Sequence, residues 1–199
     1  NLSDLKMNDE DYFPALVANY IYGGAFGSYL NMNLREANGY TYGARSSLGA
    51  GNKLKSTFRA TTKVRNEVTD SAIVETLTEL ERIRNTYVDD EMLANAKAKF
   101  LGNFIMSSEN KRTMANRMIT IATRDLPSDF YTNYIPKINA VTKEDVKRIA
   151  NKYMKLDNLR IVVVGKASDI LEPVENITFN GQKLPIKFYD KYANPTDRP

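Results

Sequence analysis

The sequence predicts an α+β fold, a mostly antiparallel sheet with helices packed on one face. Three observations predict it. Leu54, Ser56, Phe58 and Ala60 alternate with Lys55, Thr57, Arg59 and Thr61, the two-residue period of a strand with one wet face. Apolar residues recur at helical spacing over several longer stretches before and after that segment. Leu159-Arg160-Ile161-Val162-Val163-Val164 is a nearly unbroken β-branched run, which reads as a central strand. With 199 residues, of which 42% are hydrophobic and 26% charged, the chain has the length and composition of one large domain.

Taken in order, residues 9–22 carry Phe13, Leu16, Val17, Tyr20 and Ile21 on a helical stripe that Gly23-Gly24 stops. A second helix is expected over 26–36, with Phe26, Leu30 and Leu34 on one face and Gly39 ending it. Residues 42–48 and 54–62 read as two antiparallel strands joined through Gly49, Gly51 and Asn52. Helices follow at 69–84, with Ile73, Leu77 and Leu80 inward, and from a cap at Asp89 or Asp90 to about residue 106. Leu93, Ala96, Phe100 and Phe104 form the inner side of the latter. In 111–123, Met114, Met118 and Ile121 share a face and are expected to fill the core. Thr142 opens another helix, with Asp145 placed to complete a capping box and Val146, Ile149, Ala150 and Tyr153 on the buried side. From Glu175 onward the character changes: Asn180-Gly181 offers a tight turn, and 194–199 reads as a frayed end. The division expected is a domain over 1–175 and an extension over 176–199.

Two absences narrow the chemistry. Without Cys there are no disulfides, thiol nucleophiles or Cys-rich zinc sites. Without His there are no imidazole relays, no Ser-His-Asp triads and no His-ligated metal. Catalysis by this chain alone would fall to carboxylates, Lys, Tyr, Ser or Thr. The net charge of +4 is mild and its bases are interleaved with acids, so a solvated mixed surface is expected and no nucleic acid as partner. No apolar run approaches the roughly 18 residues of a membrane span. Residue 1 is Asn and no signal-peptide pattern follows it, so a piece of a longer protein is expected.

One segment stands out. Gly23-Gly24-Ala25-Phe26-Gly27-Ser28 leads into Leu34-Arg35-Glu36 and then Gly39-Tyr40-Thr41-Tyr42-Gly43. Arg35 falls near the end of a helix, where its charge meets the negative pole of the dipole. Tyr42 begins the next strand, so a guanidinium and a phenol are expected at one rim of the sheet. The stretch lacks the Lys-Ser/Thr of a phosphate loop and no Rossmann strand precedes it. Plainer roles stay open for each residue: Arg35 paired with Glu36 or a neighbouring acid, Tyr42 packed on the sheet, and Gly23, Gly24 and Gly39 as turn residues.

This pattern resembles the C-terminal, non-zinc domain of the pitrilysin, insulysin and mitochondrial-processing-peptidase family of zinc peptidases, the inverzincins. The resemblance rests on the Gly-rich turn, the Leu34-Arg35-Glu36 helix end and Tyr42 seven residues beyond Arg35. It rests also on Val141-Thr142 opening a helix that leads to the strand closing at Gly165. It implies a LuxS/processing-peptidase-like metallohydrolase fold and a protein of two related domains, one holding zinc through His-x-x-Glu-His. That motif cannot occur here, so the resemblance implies that zinc, and catalysis with it, belong to an N-terminal zinc-bearing domain or subunit. It implies for Arg35 and Tyr42 the binding of a peptide substrate from the opposite side. The alternative within the family is a catalytically inactive scaffold or partner subunit.

Overall fold

The alternating stretch and the one before it form the strand pair that organises the chain. β2 (Thr41–Leu48) and β3 (Ser56–Val64) pair antiparallel, and β1 (Leu2–Ser3) adds to the other side of β3, giving the order β1-β3-β2. The computed structural model describes residues 1–157 and 159–198. Phe58 and Ala44 are buried on one face of the sheet, while Thr57, Arg59, Thr61 and Lys63 are exposed on the other. One side is wet, as the alternation requires.

The helices cover the dry side. α1 (Tyr12–Asn19) and α2 (Tyr29–Asn31) pack on β2, and α3 (Thr69–Asn85) and α7 (Lys143–Tyr153) pack against these segments and each other. Tyr22 is fully buried, its ring centroid 5.7 Å from that of Phe58. Its hydroxyl donates to the Thr76 carbonyl at 3.3 Å, which ties the end of the first helical segment to α3. Burial pushes the phenol's pKa up, so it stays a neutral donor. α4 (Asp90–Ser108), α5 (Lys111–Arg124) and α6 (Tyr134–Ala140) form a second helical group. The Phe104 ring stacks on Tyr134 at 4.3 Å, with the Arg117 guanidinium 4.1 Å from the Phe104 centroid.

The caps follow their side chains. Asp89 accepts from the Met92 amide at 2.6 Å and opens α4. Thr142 and Asp145 form the expected capping box on α7, whose Val146, Ile149, Ala150 and Tyr153 are buried. Asp11, 6% exposed, joins the start of α1 to α7. It accepts from Arg148, from Lys152 at 2.6 Å and from the Tyr153 hydroxyl at 2.8 Å. Burial alone would raise the Asp11 pKa, but the donors from Lys152, Arg148 and Tyr153 together outweigh it and lower it to about 2.

Four expectations are corrected. Residues 159–164 belong to no strand, and Val162 and Val164 are 84% and 94% exposed. β-branched composition supplies the propensity, but a strand needs a neighbour, and among the described residues none pairs with this run. Met114 and Met118 lie on the exposed side of α5 instead of filling the core. The two helices expected before the sheet each pass from α into π: a π-turn at Tyr20–Gly24 follows α1, and another at Met32–Ala37 follows α2. The end of the chain pairs instead of fraying throughout. β4 (Thr178–Phe179) and β5 (Gln182–Lys183) close about Asn180 and Gly181, both at positive φ, as Asn-Gly predicts. Beyond them β6 (Phe188–Tyr189) pairs with β7 (Pro195–Thr196), and Arg198 places two nitrogens on Glu175. α6 and α8 (Ala167–Glu175) carry no strong sequence signal, being short and, in α8, interrupted by Pro173. Pro199, the last residue of the expected frayed end, lies outside the described residues.

Candidate functional site

The Gly-rich turn, the second π-turn and the start of β2 meet at one rim of the sheet. Gly23 makes the approach possible. A Cβ on it would lie 2.5 Å from Ser46 Oγ and 2.8 Å from the Ser46 amide, so the first π-turn rests directly on β2 only because that atom is missing. Gly23 is thus a contact residue and more than a turn residue. Gly39, at φ +62, then reverses the chain from helix to strand.

Tyr42 owes its orientation to a bulge. Thr41 pairs with Val64 and Ala44 with Thr62, so Tyr42 and Gly43 together face Lys63 alone. The Thr41 hydroxyl closes the loop, donating to the Lys63 carbonyl at 2.7 Å and accepting from the Gly43 amide at 3.1 Å. Without the extra residue, strict alternation would point Tyr42 inward with Ala44, Ser46 and Leu48. With it, the phase flips and Tyr42 is 98% exposed. The alternative of an aromatic packed on the sheet is therefore excluded by the geometry.

Asn31 holds this bulge in place. Fully buried, it accepts from the Ala44 amide and from Arg45 Nη1, each at 3.0 Å, and donates to the Phe26 carbonyl at 2.8 Å. One side chain thus fixes both the Gly-rich turn and the edge of β2. The sequence reading did not single it out, although it gave a signal: an Asn beside Leu30 and three residues before Leu34 lies on an apolar helix face.

Arg35 sits in the second π-turn, half-buried, with its guanidinium 4.6 Å from the Phe26 ring centroid and Nε 3.3 Å from Glu36. The pairing with Glu36 is the plainer role foreseen for it. Solvent screens so exposed a contact and makes it worth little, leaving the guanidinium available to a stronger anion or carbonyl. Beneath it, Asn33 donates to Glu75 and Glu79, each at 2.8 Å, and anchors the π-turn to α3. Arg35 and Tyr42 flank the same reversal, but no hydrogen bond joins them among the described residues. A depression beside the Gly-rich turn is lined by Tyr20, Ile21, Ala25, Gly27, Met92, Asn95 and Ala96 and takes in neither residue.

No donor set for zinc exists here. The chain has neither His nor Cys, and among the described residues no three carboxylates are grouped to hold a cation. No metal-dependent step is assigned to this chain. Among the described residues no helix is long and apolar enough to cross a membrane.

Comparison with known proteins accords with this architecture. Residues 3–100 match the family model described as the peptidase M16 inactive domain. A search of curated protein sequences returns no match. Among solved structures, a peptidase M16 inactive domain from Pseudomonas fluorescens superposes with a TM-score of 0.72 at 22% identity, covering 78% of this chain and 37% of that one. A conserved protein from Enterococcus faecalis gives 0.66 at 25% identity, covering 76% and 35%. A candidate zinc protease from Bordetella pertussis gives 0.65 at 16% identity, covering 79% and 87%. The chain thus spans about a third of the first two. The first half of the chain is thus similar to the peptidase M16 inactive domain, and the chain has the α+β fold its sequence predicts.

Proposed function

We propose that this domain forms the substrate-facing wall opposite the zinc in a two-domain peptidase acting on peptides or unfolded segments. One observation carries the reading: Tyr42 is held on a braced bulge, 98% exposed, with no protein partner for its hydroxyl among the described residues. A rigid phenol aimed at solvent from a locked backbone is costly to display and suits contact with something outside the domain. Peptide hydrolysis builds negative charge on the carbonyl oxygen, and a fixed O–H donor in a closed chamber stabilises it. Arg35, one helix end away, offers a fork of N–H donors for substrate carbonyls. The zinc-bearing domain, in the same chain or in a partner subunit, would supply the activated water. In this reading 1–175 is the domain proper and 176–199 an extension.

The test is Tyr42→Phe in the complete two-domain enzyme. The expected result is a fall in kcat of about tenfold or more, with thermal stability unchanged because the hydroxyl bonds nothing within the domain. Unchanged turnover would remove Tyr42 from the substrate role. This domain alone is expected to show no peptidase activity and to regain it on addition of the zinc-bearing half.

A further inference from the structure

Bases and acids are interleaved along most of the chain, but the interleaving stops at the strand pair. From Ala37 to Asn66 there is no Asp or Glu, while Arg45, Lys53, Lys55, Arg59, Lys63 and Arg65 supply positive charge.

The fold gathers three of these cations on the solvent face of the sheet. Arg45 pairs with Thr61 and Ser47 with Arg59, and the bulge leaves Lys63 opposite Tyr42 and Gly43. Arg45, Arg59 and Lys63 are all exposed, each beside an inward-facing neighbour in the alternation. Arg59 and Lys63 lie two residues either side of Thr61, so by backbone position both are diagonal neighbours of Arg45, about 7–8 Å away. Arg45 turns one nitrogen back to Asn31 Oδ1 and to the Ala44 carbonyl, at 3.0 and 2.9 Å. Among the described residues none of the three forms an ion pair.

Like charges gathered without an acid raise the energy of the folded chain, and nothing within the sheet offsets this. Ser47, Thr57 and Thr61 are exposed on the same face and add hydroxyl donors between the cations. The face therefore offers positive charge and hydrogen-bond donors, with no carboxylate to compete for them.

We propose that this face binds an acidic segment of an extended polypeptide, the part of a peptide substrate that lies next to Tyr42. The inference rests on the reading of Tyr42 as a substrate contact and names the chemistry of the substrate. Lys63 stands opposite Tyr42 in the bulge, and Arg59 lies four residues back along β3, about 13 Å away. An extended peptide repeats its faces every two residues. Asp or Glu side chains up to about four residues from the bond held at Tyr42 therefore meet Lys63 and Arg59 in turn. The summed positive field also draws such a segment toward the rim before contact is made.

The experiment measures, by fluorescence anisotropy, the binding of this chain to a labelled peptide with Glu at alternate positions and to the same peptide with Gln in their place. The Glu peptide is expected to bind about tenfold more tightly at low salt, with the difference shrinking as salt rises. Arg59→Gln combined with Lys63→Gln should abolish the preference. Lys183→Gln combined with Lys187→Gln removes as much charge elsewhere and should keep it. Equal binding of the two peptides overturns the proposal, and so does a preference that both pairs of substitutions lower alike or that neither lowers. Tighter binding of a single-stranded oligonucleotide of equal charge would assign the face to nucleic acid and overturn it too. The role of Tyr42 is tested apart: in the complete two-domain enzyme Tyr42→Phe lowers turnover of both peptides and leaves their ratio unchanged, so either reading can fail while the other stands.

Discussion

The two long edges of the sheet are finished in opposite ways. Along β2, Asn31 bonds the Ala44 amide at 3.0 Å and Asn19 donates to the Ser46 carbonyl at 3.4 Å, so helix side chains occupy ladder positions. Along β3 beyond Phe58, the outer side of the backbone has no ladder partner among the described residues. An edge whose polar groups are taken by fixed side chains cannot accept another strand. The β2 rim is therefore suited to presenting side chains, Tyr42 foremost.

Breaking the closed edge has the largest expected effect. Asn31→Leu keeps the volume but leaves the Ala44 amide and the Phe26 carbonyl without their partner in a buried place. Urea unfolding should show a loss of about 3 kcal/mol. A loss below about 0.5 kcal/mol would mean that the edge is held by something else.

Asp11→Asn weakens the support of the open edge, because Asp11 fastens α7, whose Tyr153 carbonyl holds Asn1. The lowered carboxyl pKa, about 2 against an ordinary 3.8, contributes about 2 kcal/mol or somewhat less, since its cationic partners are half exposed. The sign follows from that direction. The contribution is fully present above about pH 4 and fades as the pH falls through about 2. Unfolding curves of the native chain and the Asp11→Asn variant should differ by a constant amount at neutral pH and converge in strong acid. A constant difference at all pH values would place the effect in packing instead of charge.

The smallest change is expected in the unpaired run at 159–164. Val162→Lys, at a position 84% exposed, should alter the stability of this chain by no more than about 0.5 kcal/mol. A large loss there would show that the run is already packed against a neighbour in solution.

These contrasts also explain what was legible in the sequence. Side-chain periodicity reported the face of α7 and, from Ser56 on, that of β3, although Leu54, expected on the same face, lies outside the strand and is exposed; the Thr142–Asp145 spacing gave the capping box, because each depends on residues close in sequence. The Leu34-Arg35-Glu36 and Tyr42 pattern pointed to the family, and the fold and the family match agree with it. The outward turn of Tyr42 was not legible, since it depends on a bulge set by the register of two strands. The failure at 159–164 has the same origin: propensity is local, whereas pairing needs another strand. Asn31 was passed over because an Asn on an apolar helix face declares its importance only once its partners are known.

The π-turn at Met32–Ala37 has a consequence for how such a rim can be retuned. A π-turn is an α-helix carrying one surplus residue. The surplus residue is taken up within the turn, so the chain on either side keeps the orientation it would have in a plain helix. Arg35 can therefore stand beside Phe26 at the rim while Leu30 and Leu34 keep their seats in the core. A one-residue change of length at that turn is absorbed locally and does not reach the layer beneath it.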